Sequence, residues 1–299
     1  MYIFFALAGF GMLAFNSLFD KKLLSNQARS VLAYTFFMSA FSVLLIGLLP
    51  WGQRLPGTQL DWWLVAVDAV LFFLGLIGMF TGIQQSEVSH AGPLIGASVP
   101  FFTVILSHYW LQEILSTSQL AAIGFLILGS LIISFEVSDR HRGWHRGMLF
   151  SVIGGFCFAG SHVVSKYLYG QVGFISAIVL VRFVLGLLGL GLLIIPKVRR
   201  EIFGQSIAAP AAGRTNFLPI FGNMALGVVA VGLVQYAISL GSVSVVNALE
   251  GWRYGLLVIL VAILSRWDTK FFTEKYAPWE WLQEGVAVGL IIVGLVLLI

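Results

Sequence analysis

From residue 2 to the last residue the chain is a succession of apolar runs, each about 18 to 22 residues long and separated by short polar or basic connectors. A run of that length as a helix crosses a hydrocarbon core roughly 30 Å thick. The runs fall at 2 to 19, 29 to 49, 62 to 83, 91 to 111, 117 to 135, 147 to 168, 174 to 195, 217 to 239, 244 to 265 and 281 to 299. They are apolar on every side, whereas strands of a membrane barrel alternate polar and apolar residues over about ten positions. The pattern therefore predicts ten transmembrane helices. Short connections make sequential helices antiparallel neighbours.

Composition agrees: 59% of the 299 residues are apolar and 10% are charged, far from the balance of a water-soluble domain. The first run follows no basic leader or small-residue cleavage site and ends in Asp20-Lys21-Lys22, so it is expected to be the first span and not a signal peptide. Cys157, the one cysteine, lies in an apolar stretch and offers neither a disulfide nor a thiolate metal site. No cofactor or metal is expected. The net charge of +4 sits in short loops, which makes it a determinant of orientation and not a nucleic-acid surface.

Lys and Arg number three in the first connector, none in the third, three in the fifth, four in the seventh and three in the ninth; the other four connectors hold only Arg54 and Lys166. Basic residues resist translocation, so the odd-numbered connectors are expected in the cytoplasm and both termini outside a plasma membrane.

The chain also matches itself. Gly9, Ala14, Lys21 and Leu23 fall on Gly154, Ala159, Lys166 and Leu168 at an offset of 145, and Pro50 falls on Pro196 at 146. Val88-Ser89 falls on Val243-Ser244 at 155, and Gly124 and Gly129 fall on Gly289 and Gly294 at 165. Longer connectors in the second half, notably from Asp268 to Trp281, account for the drift. The expected organisation is a first repeat over 1–140 and a second over 141–299, joined in one integral membrane unit. Five spans per half is odd, so the second copy enters the membrane inverted. Inverted repeats place a shared cavity near the midplane and let two related packings open to opposite sides, the basis of alternating access. Transport is the function this organisation suggests.

The segment Glu87-Val88-Ser89-His90-Ala91-Gly92-Pro93, then Val99-Pro100-Phe101-Phe102, Trp110-Leu111-Gln112-Glu113 and a fifth run with spaced glycines, resembles the EamA-type branch of the drug/metabolite transporter superfamily. In that family a short polar turn carrying Glu precedes the last helix of each half; Glu113 matches it in the first half and Glu274 is the equivalent in the second. The second half departs from the family pattern in a longer turn there, in Gly255 for the proline of the fourth span, and in Glu250, Trp252 and Arg253 where small residues are usual. The resemblance implies a bacterial-type secondary transporter of small metabolites.

Of thirty Lys, Arg, Asp and Glu residues, four lie well inside the runs: Asp68, Arg182, Glu250 and Arg253. A charge at membrane depth costs several kcal/mol unless it faces a polar cavity or a partner, so all four are functional candidates. Arg182 and Arg253 lie at similar depth and are expected to face one cavity, where a guanidinium offers a planar fork to a substrate carboxylate. Beside this stands a purely structural reading in which Glu250 pairs with Arg253 at i, i+3 and Asp68 pairs with Arg182. Glu250 and Asp68 are the carboxylates deep enough to bind a proton in step with transport. Trp252, Tyr236, Gln235 and Ser98 are further candidates for lining the substrate site.

The remaining polar positions have plainer roles. Asn16, His162, Asn223 and Asn247 are expected to bond between helices, and His90 and His108 to lie at helix ends near solvent. Trp51, Trp62, Trp63, Trp279 and Trp281 suit the membrane interface, and glycines at 75, 78, 82, 124, 129, 285, 289 and 294 suit close helix contact. Pro93 and Pro100 are expected to kink the fourth span. An intramembrane enzyme is the main reading from another class. It is disfavoured because the five histidines are scattered, and because Ser161 and His162, as helix neighbours, point about 100 degrees apart. The expected function is secondary export of amino acids or related carboxylate-bearing metabolites. Nucleotide-sugar, lipid or drug transport is the alternative within the superfamily.

Overall fold

The structure, a computed structural model, describes residues 1–24, 30–85, 88–134, 146–203, 217–264 and 278–298. Glu87, Glu274 and most of the basic residues of the fifth, seventh and ninth connectors lie outside the described residues, as do the side chains of Lys21, Lys22, Trp279 and Trp281. The described residues are almost wholly helical and contain no strand. The helices are α1 Tyr2–Leu24, α2 Val31–Ala40, α3 Gln59–Gln85, α4 Val88–Leu111, α5 Thr117–Ser134 and α6 Arg146–Val172. They continue with α7 Phe174–Gly191, α8 Pro196–Phe203, α9 Phe217–Leu240, α10 Val243–Ala248, α11 Glu250–Leu264 and α12 Pro278–Leu298. Among the described residues seven helical segments are long and apolar enough to cross a membrane, and shorter apolar helices occupy Tyr2–Ser17, Ala225–Leu240 and Leu282–Leu298. Large apolar side chains such as Phe4, Leu44, Val228 and Val296 are exposed while Asp68, Thr35, Ser244 and Asn247 are buried, the distribution of a multi-pass membrane protein.

Local signals set the helix starts. Thr58 and Asp61 close a reciprocal capping pair at α3, with Asp61 N–H donating to Thr58 Oγ1 (3.2 Å) and Thr58 N–H to Asp61 Oδ2 (3.3 Å). Ser116 and Gln119 do the same at α5, and the Ser30 and Ser242 hydroxyls cap α2 and α10. Gly173 takes φ 85° between α6 and α7, a conformation that excludes larger residues at low cost.

Three elements differ from the sequence pattern. The second run is α-helical only to Ala40 and continues as a 3-10 helix over Phe41–Trp51, the segment that contains Pro50. The ninth run is two helices, α10 and α11, parted at Leu249, whose N–H reaches the carbonyls of both Val245 and Val246 (3.3 and 3.1 Å). The seventh connector begins with α8, an amphipathic helix of just over two turns. Its Val198 and Ile202 are buried against Ala33, Phe36, Ala40 and Leu192 while Lys197, Arg199 and Arg200 stay exposed. Glu201 of α8 accepts a hydrogen bond from the Ser30 hydroxyl and so ties it to the start of α2. Helix α4 runs unbroken through Pro93 and Pro100.

Glycines let the helices approach at backbone distance. A Cβ at Gly154 would lie 2.9 Å from Met79 N and 3.2 Å from Gly75 O, joining α6 to α3, and one at Gly9 would lie 2.8 Å from Val234 and 2.9 Å from Ala230 O, joining α1 to α9. Helices α5 and α12 meet twice: Gly129 against Ile291 and the Ala287 carbonyl, and Gly294 against Leu126 and the Ala122 carbonyl. Gly186 of α7 abuts Val43 and Gly189 abuts Ala40.

Candidate functional site

Four of the apolar helices, α3, α6, α7 and α9, enclose a narrow polar cavity lined by Asp68, Phe72, Ser161, Ser165, Tyr169, Arg182 and Gln235 together with Ile178 and Val181. Asp68 lies nine positions into α3 and Arg182 eight positions into α7, which at 1.5 Å per residue puts each about 12 to 14 Å from its helix end. The cavity is therefore at membrane depth. Its enclosed volume is about 10 Å³, room for about one water molecule and far below the roughly 300 to 1,000 Å³ of a typical small-molecule pocket, so a substrate enters only if the surrounding helices part.

Asp68 is fully buried and accepts a hydrogen bond on each carboxylate oxygen, from the Ser161 hydroxyl on Oδ1 and from the Ser165 hydroxyl on Oδ2 (2.5 Å). The two serines are four apart on α6 and so share one helix face. One turn further on, Tyr169 donates its hydroxyl to Gln235 Oε1 (2.8 Å) and ties α6 to α9. The Arg182 guanidinium lies 4.1 Å above the Phe72 ring, a cation–π contact. Its charge acts on Asp68 and Tyr169, yet among the described residues it makes no hydrogen bond and no direct ion pair. The cavity thus holds one caged carboxylate and one guanidinium whose donors are not taken up.

Glu250 and Arg253 form a separate cluster. Arg253 Nη1 lies 3.6 Å from Glu250 Oε1, the i, i+3 pair expected from the sequence, and Nη2 donates to Ser17 Oγ of α1 (2.7 Å). The Tyr254 ring lies beside the same guanidinium at 5.4 Å and packs its edge into the space left by Gly92 and Gly96 of α4. The two deep arginines therefore do not line one cavity. Of the other candidates only Gln235 joins Asp68 and Arg182. Tyr236, its neighbour, turns to Phe5 and Phe174 (ring centroids 5.1 and 5.2 Å), Trp252 packs against the apolar core, and Ser98 donates to the Leu94 carbonyl (2.7 Å). Phe72, Ser161, Ser165 and Tyr169 were not singled out from the sequence as lining residues, and the i, i+4 serine spacing is the one signal that points to two of them.

Polar ties surround the cavity. Asn16 Nδ2 donates to Asn223 Oδ1 (2.8 Å) across α1 and α9. His162 Nδ1 lies 3.0 Å from Asn247 Oδ1, and Asn247 Nδ2 donates to Thr103 Oγ1 (2.8 Å), so one amide links α6, α10 and α4 beside the break at Leu249. Ser161 and His162 accordingly serve different partners. Asn247 is almost fully buried, so Asn247→Leu is expected to cost about 1 to 3 kcal/mol by leaving His162 Nδ1 unpaired and Thr103 with only its bond to the Val99 carbonyl, read as a lowered melting temperature of detergent-solubilised protein. At the end of α4, Gln112 takes φ 52° and lets the Glu113 N–H return to the Ser107 carbonyl (3.2 Å). The Glu113 carboxylate then accepts from Ser244 Oγ of α10 (2.5 Å), which also shares a hydrogen bond with Ser107 Oγ (2.7 Å). Lys166 Nζ donates to the last carbonyls of α9, Ile238 (2.9 Å) and Ser239 (3.2 Å), where the helix dipole favours a cation.

Residues 1–135 match the model of the EamA-like transporter family. No curated protein matches. Sixteen chains of solved structures do, among them one described as "Crystal structure of protein", which superposes with a TM-score of 0.61 at 15% identity over 98% of this chain and 93% of that one. At that identity the likeness is one of fold, and it extends through the second half.

Proposed function

We propose, from the premise that residues 1–135 belong to the EamA-like transporter family of the drug/metabolite transporter superfamily, that the whole chain carries a small carboxylate-bearing metabolite across the plasma membrane by alternating access. In this reading the ten apolar runs are ten spans, organised as inverted repeats over 1–140 and 141–299. Interchange of contacts supports the repeat. Moving Gly9 forward by 145 and Ala230 and Val234 back by 155 gives Gly154, Gly75 and Met79, which meet in the same way. Exchanging α5 and α12 by 165 turns Gly129 against Ala287 and Ile291 into Gly294 against Ala122 and Leu126. Exchange by 146 turns Val43 against Gly186 into Ala40 against Gly189. A two-fold relation between the halves explains all three, and one axis lying in the membrane plane fits the odd number of spans per half.

The observation that carries the substrate assignment is the Arg182 guanidinium, unengaged by hydrogen bonds in a cavity that α3 of the first half shares with α6, α7 and α9 of the second. A planar fork with free donors at membrane depth suits a carboxylate. Arg253 suits it less, because Glu250 lies beside its Nη1 and Ser17 takes its Nη2, which leaves only a buried Nε without a partner. Purified protein in proteoliposomes, tested across a panel of amino acids and other carboxylates, is expected to transport at least one of them. Arg182→Ala is expected to lower that transport at least tenfold, the loss of about one charge-assisted hydrogen bond. Undiminished transport by Arg182→Ala rejects the assignment.

A further inference from the structure

The cavity holds its two opposite charges apart: Asp68 is bonded to Ser161 and Ser165, and Arg182 is stacked on Phe72. We infer that Asp68 takes up a proton when a carboxylate binds at Arg182, so that one proton and one monoanion cross together. The inference rests on the reading of Arg182 as the substrate group. It follows from the charge the cavity can hold at membrane depth, where an uncompensated ion costs several kcal/mol. Empty, with Asp68 ionised and Arg182 cationic, the cavity is neutral. With a carboxylate bound and Asp68 still ionised it carries one negative charge; with Asp68 protonated and nothing bound it carries one positive charge. Both are disfavoured. Binding anion and proton together restores neutrality, so the two low-cost states are empty and fully loaded.

Among the described residues lining the cavity the titratable groups are Asp68, Tyr169 and Arg182, and Asp68 is the one carboxylate. Helix α6 presents Tyr169 to the cavity, while its His162 turns Nδ1 to Asn247 and its Lys166 donates to the Ile238 and Ser239 carbonyls of α9. Helix α7 presents Arg182 alone, α9 presents the neutral Gln235, α2 and the 3-10 segment after it contain no charged residue, and α4 contributes histidines only at its ends, His90 and His108. Glu250 does not compete for this role, because it stays paired with Arg253 in a different cluster. The serine hydroxyls donate to the ionised carboxylate and can turn to accept from the protonated one, so neither state leaves a polar atom stranded. Proton and anion moving in one direction under an inward proton gradient favour uptake, the reverse of the export expected from the sequence.

The test is binding to detergent-solubilised full-length protein by calorimetry in buffers of differing ionisation enthalpy, with pyruvate and benzoate as monoanionic probes and glycine as a zwitterion. Wild type is expected to take up about one proton per pyruvate or benzoate, with affinity falling about tenfold per pH unit once Asp68 is ionised in the free protein. Glycine brings its own ammonium and is expected to take up none. In Asp68→Asn, an isosteric change that keeps an acceptor for Ser161, monoanion binding is expected to persist without proton uptake and without pH dependence; a melting curve establishes that the variant is folded. Binding to wild type with no proton uptake, or uptake that survives in Asp68→Asn, overturns the inference while leaving the transport reading intact. Probes that fail to bind wild type, or bind Arg182→Ala equally well, overturn the Arg182 reading and this inference with it.

Discussion

Gly154→Leu is expected to cost about 3 kcal/mol or more and to leave little folded protein after detergent extraction, the upper end of the overpacking range. The reason lies in what its side chain would meet: the backbone of Gly75, Gly78 and Met79 in α3, at 2.9 to 3.2 Å from the Cβ alone. Side chains can rotate away from an intruder, but two helix backbones can only separate. Helices of a bilayer protein are held by close packing because lipid offers them no hydrophobic penalty for parting, so a lost backbone contact is not recovered elsewhere. Gly78→Leu carries the same expectation, with Gly154 Cα and the Phe150 carbonyl 2.8 and 2.9 Å from its Cβ. Gly124→Leu, whose Cβ has nothing within 4 Å, is expected to leave the melting temperature unchanged and serves as the control. Equal melting of Gly154→Leu and Gly124→Leu in size-exclusion thermostability assays would show that α3 and α6 are not packed in this register.

Arg253→Met is expected to be nearly as damaging for a different reason. It leaves the buried Glu250 carboxylate without its cation, and breaking one side of a buried ion pair costs about 3 to 5 kcal/mol. Removing the second charge as well, in Glu250→Gln/Arg253→Met, is expected to restore most of that loss, since two neutral side chains of similar size need no compensation. Thermal melts of the two single variants and the double variant form a closed cycle. If the double variant is as unstable as the sum of the singles, the two residues act independently and the pairing has no energetic content.

Much of this architecture is written in the hydrophobic pattern, but one kind of information is missing from it. Apolar runs locate the helices, and polar residues inside them announce the interhelical bonds that Asn16 makes with Asn223 and His162 with Asn247. The i, i+3 spacing announces the pair of Glu250 with Arg253. Counting residues from a helix end gives depth, which is why Arg182 and Arg253 were expected together. Depth says nothing about azimuth, and an all-apolar helix has no polar face from which to read it. That is set by which neighbour each helix contacts, so Arg182 stacks on Phe72 and shares a cavity with Asp68 while Arg253 meets Ser17 and Tyr254. The same gap hid Tyr169 and Phe72. Helix α8 escaped for the opposite reason: its apolar residues, Val198 and Ile202, recur at helical spacing, but a basic stretch of eight residues reads as a connector.

The bonds from Ser244 to Glu113 and Ser107 tie the start of α10 to the end of α4. Any rearrangement that parts these two elements gives up one charge-assisted and one neutral hydrogen bond, together about 2 to 4 kcal/mol, unless new partners replace them. Expressed as occupancy, that skews a two-state protein roughly 30- to 1,000-fold toward the fastened form. A single hydroxyl at position 244 thereby serves as a shared fastener, since losing it removes both bonds between the two elements at once.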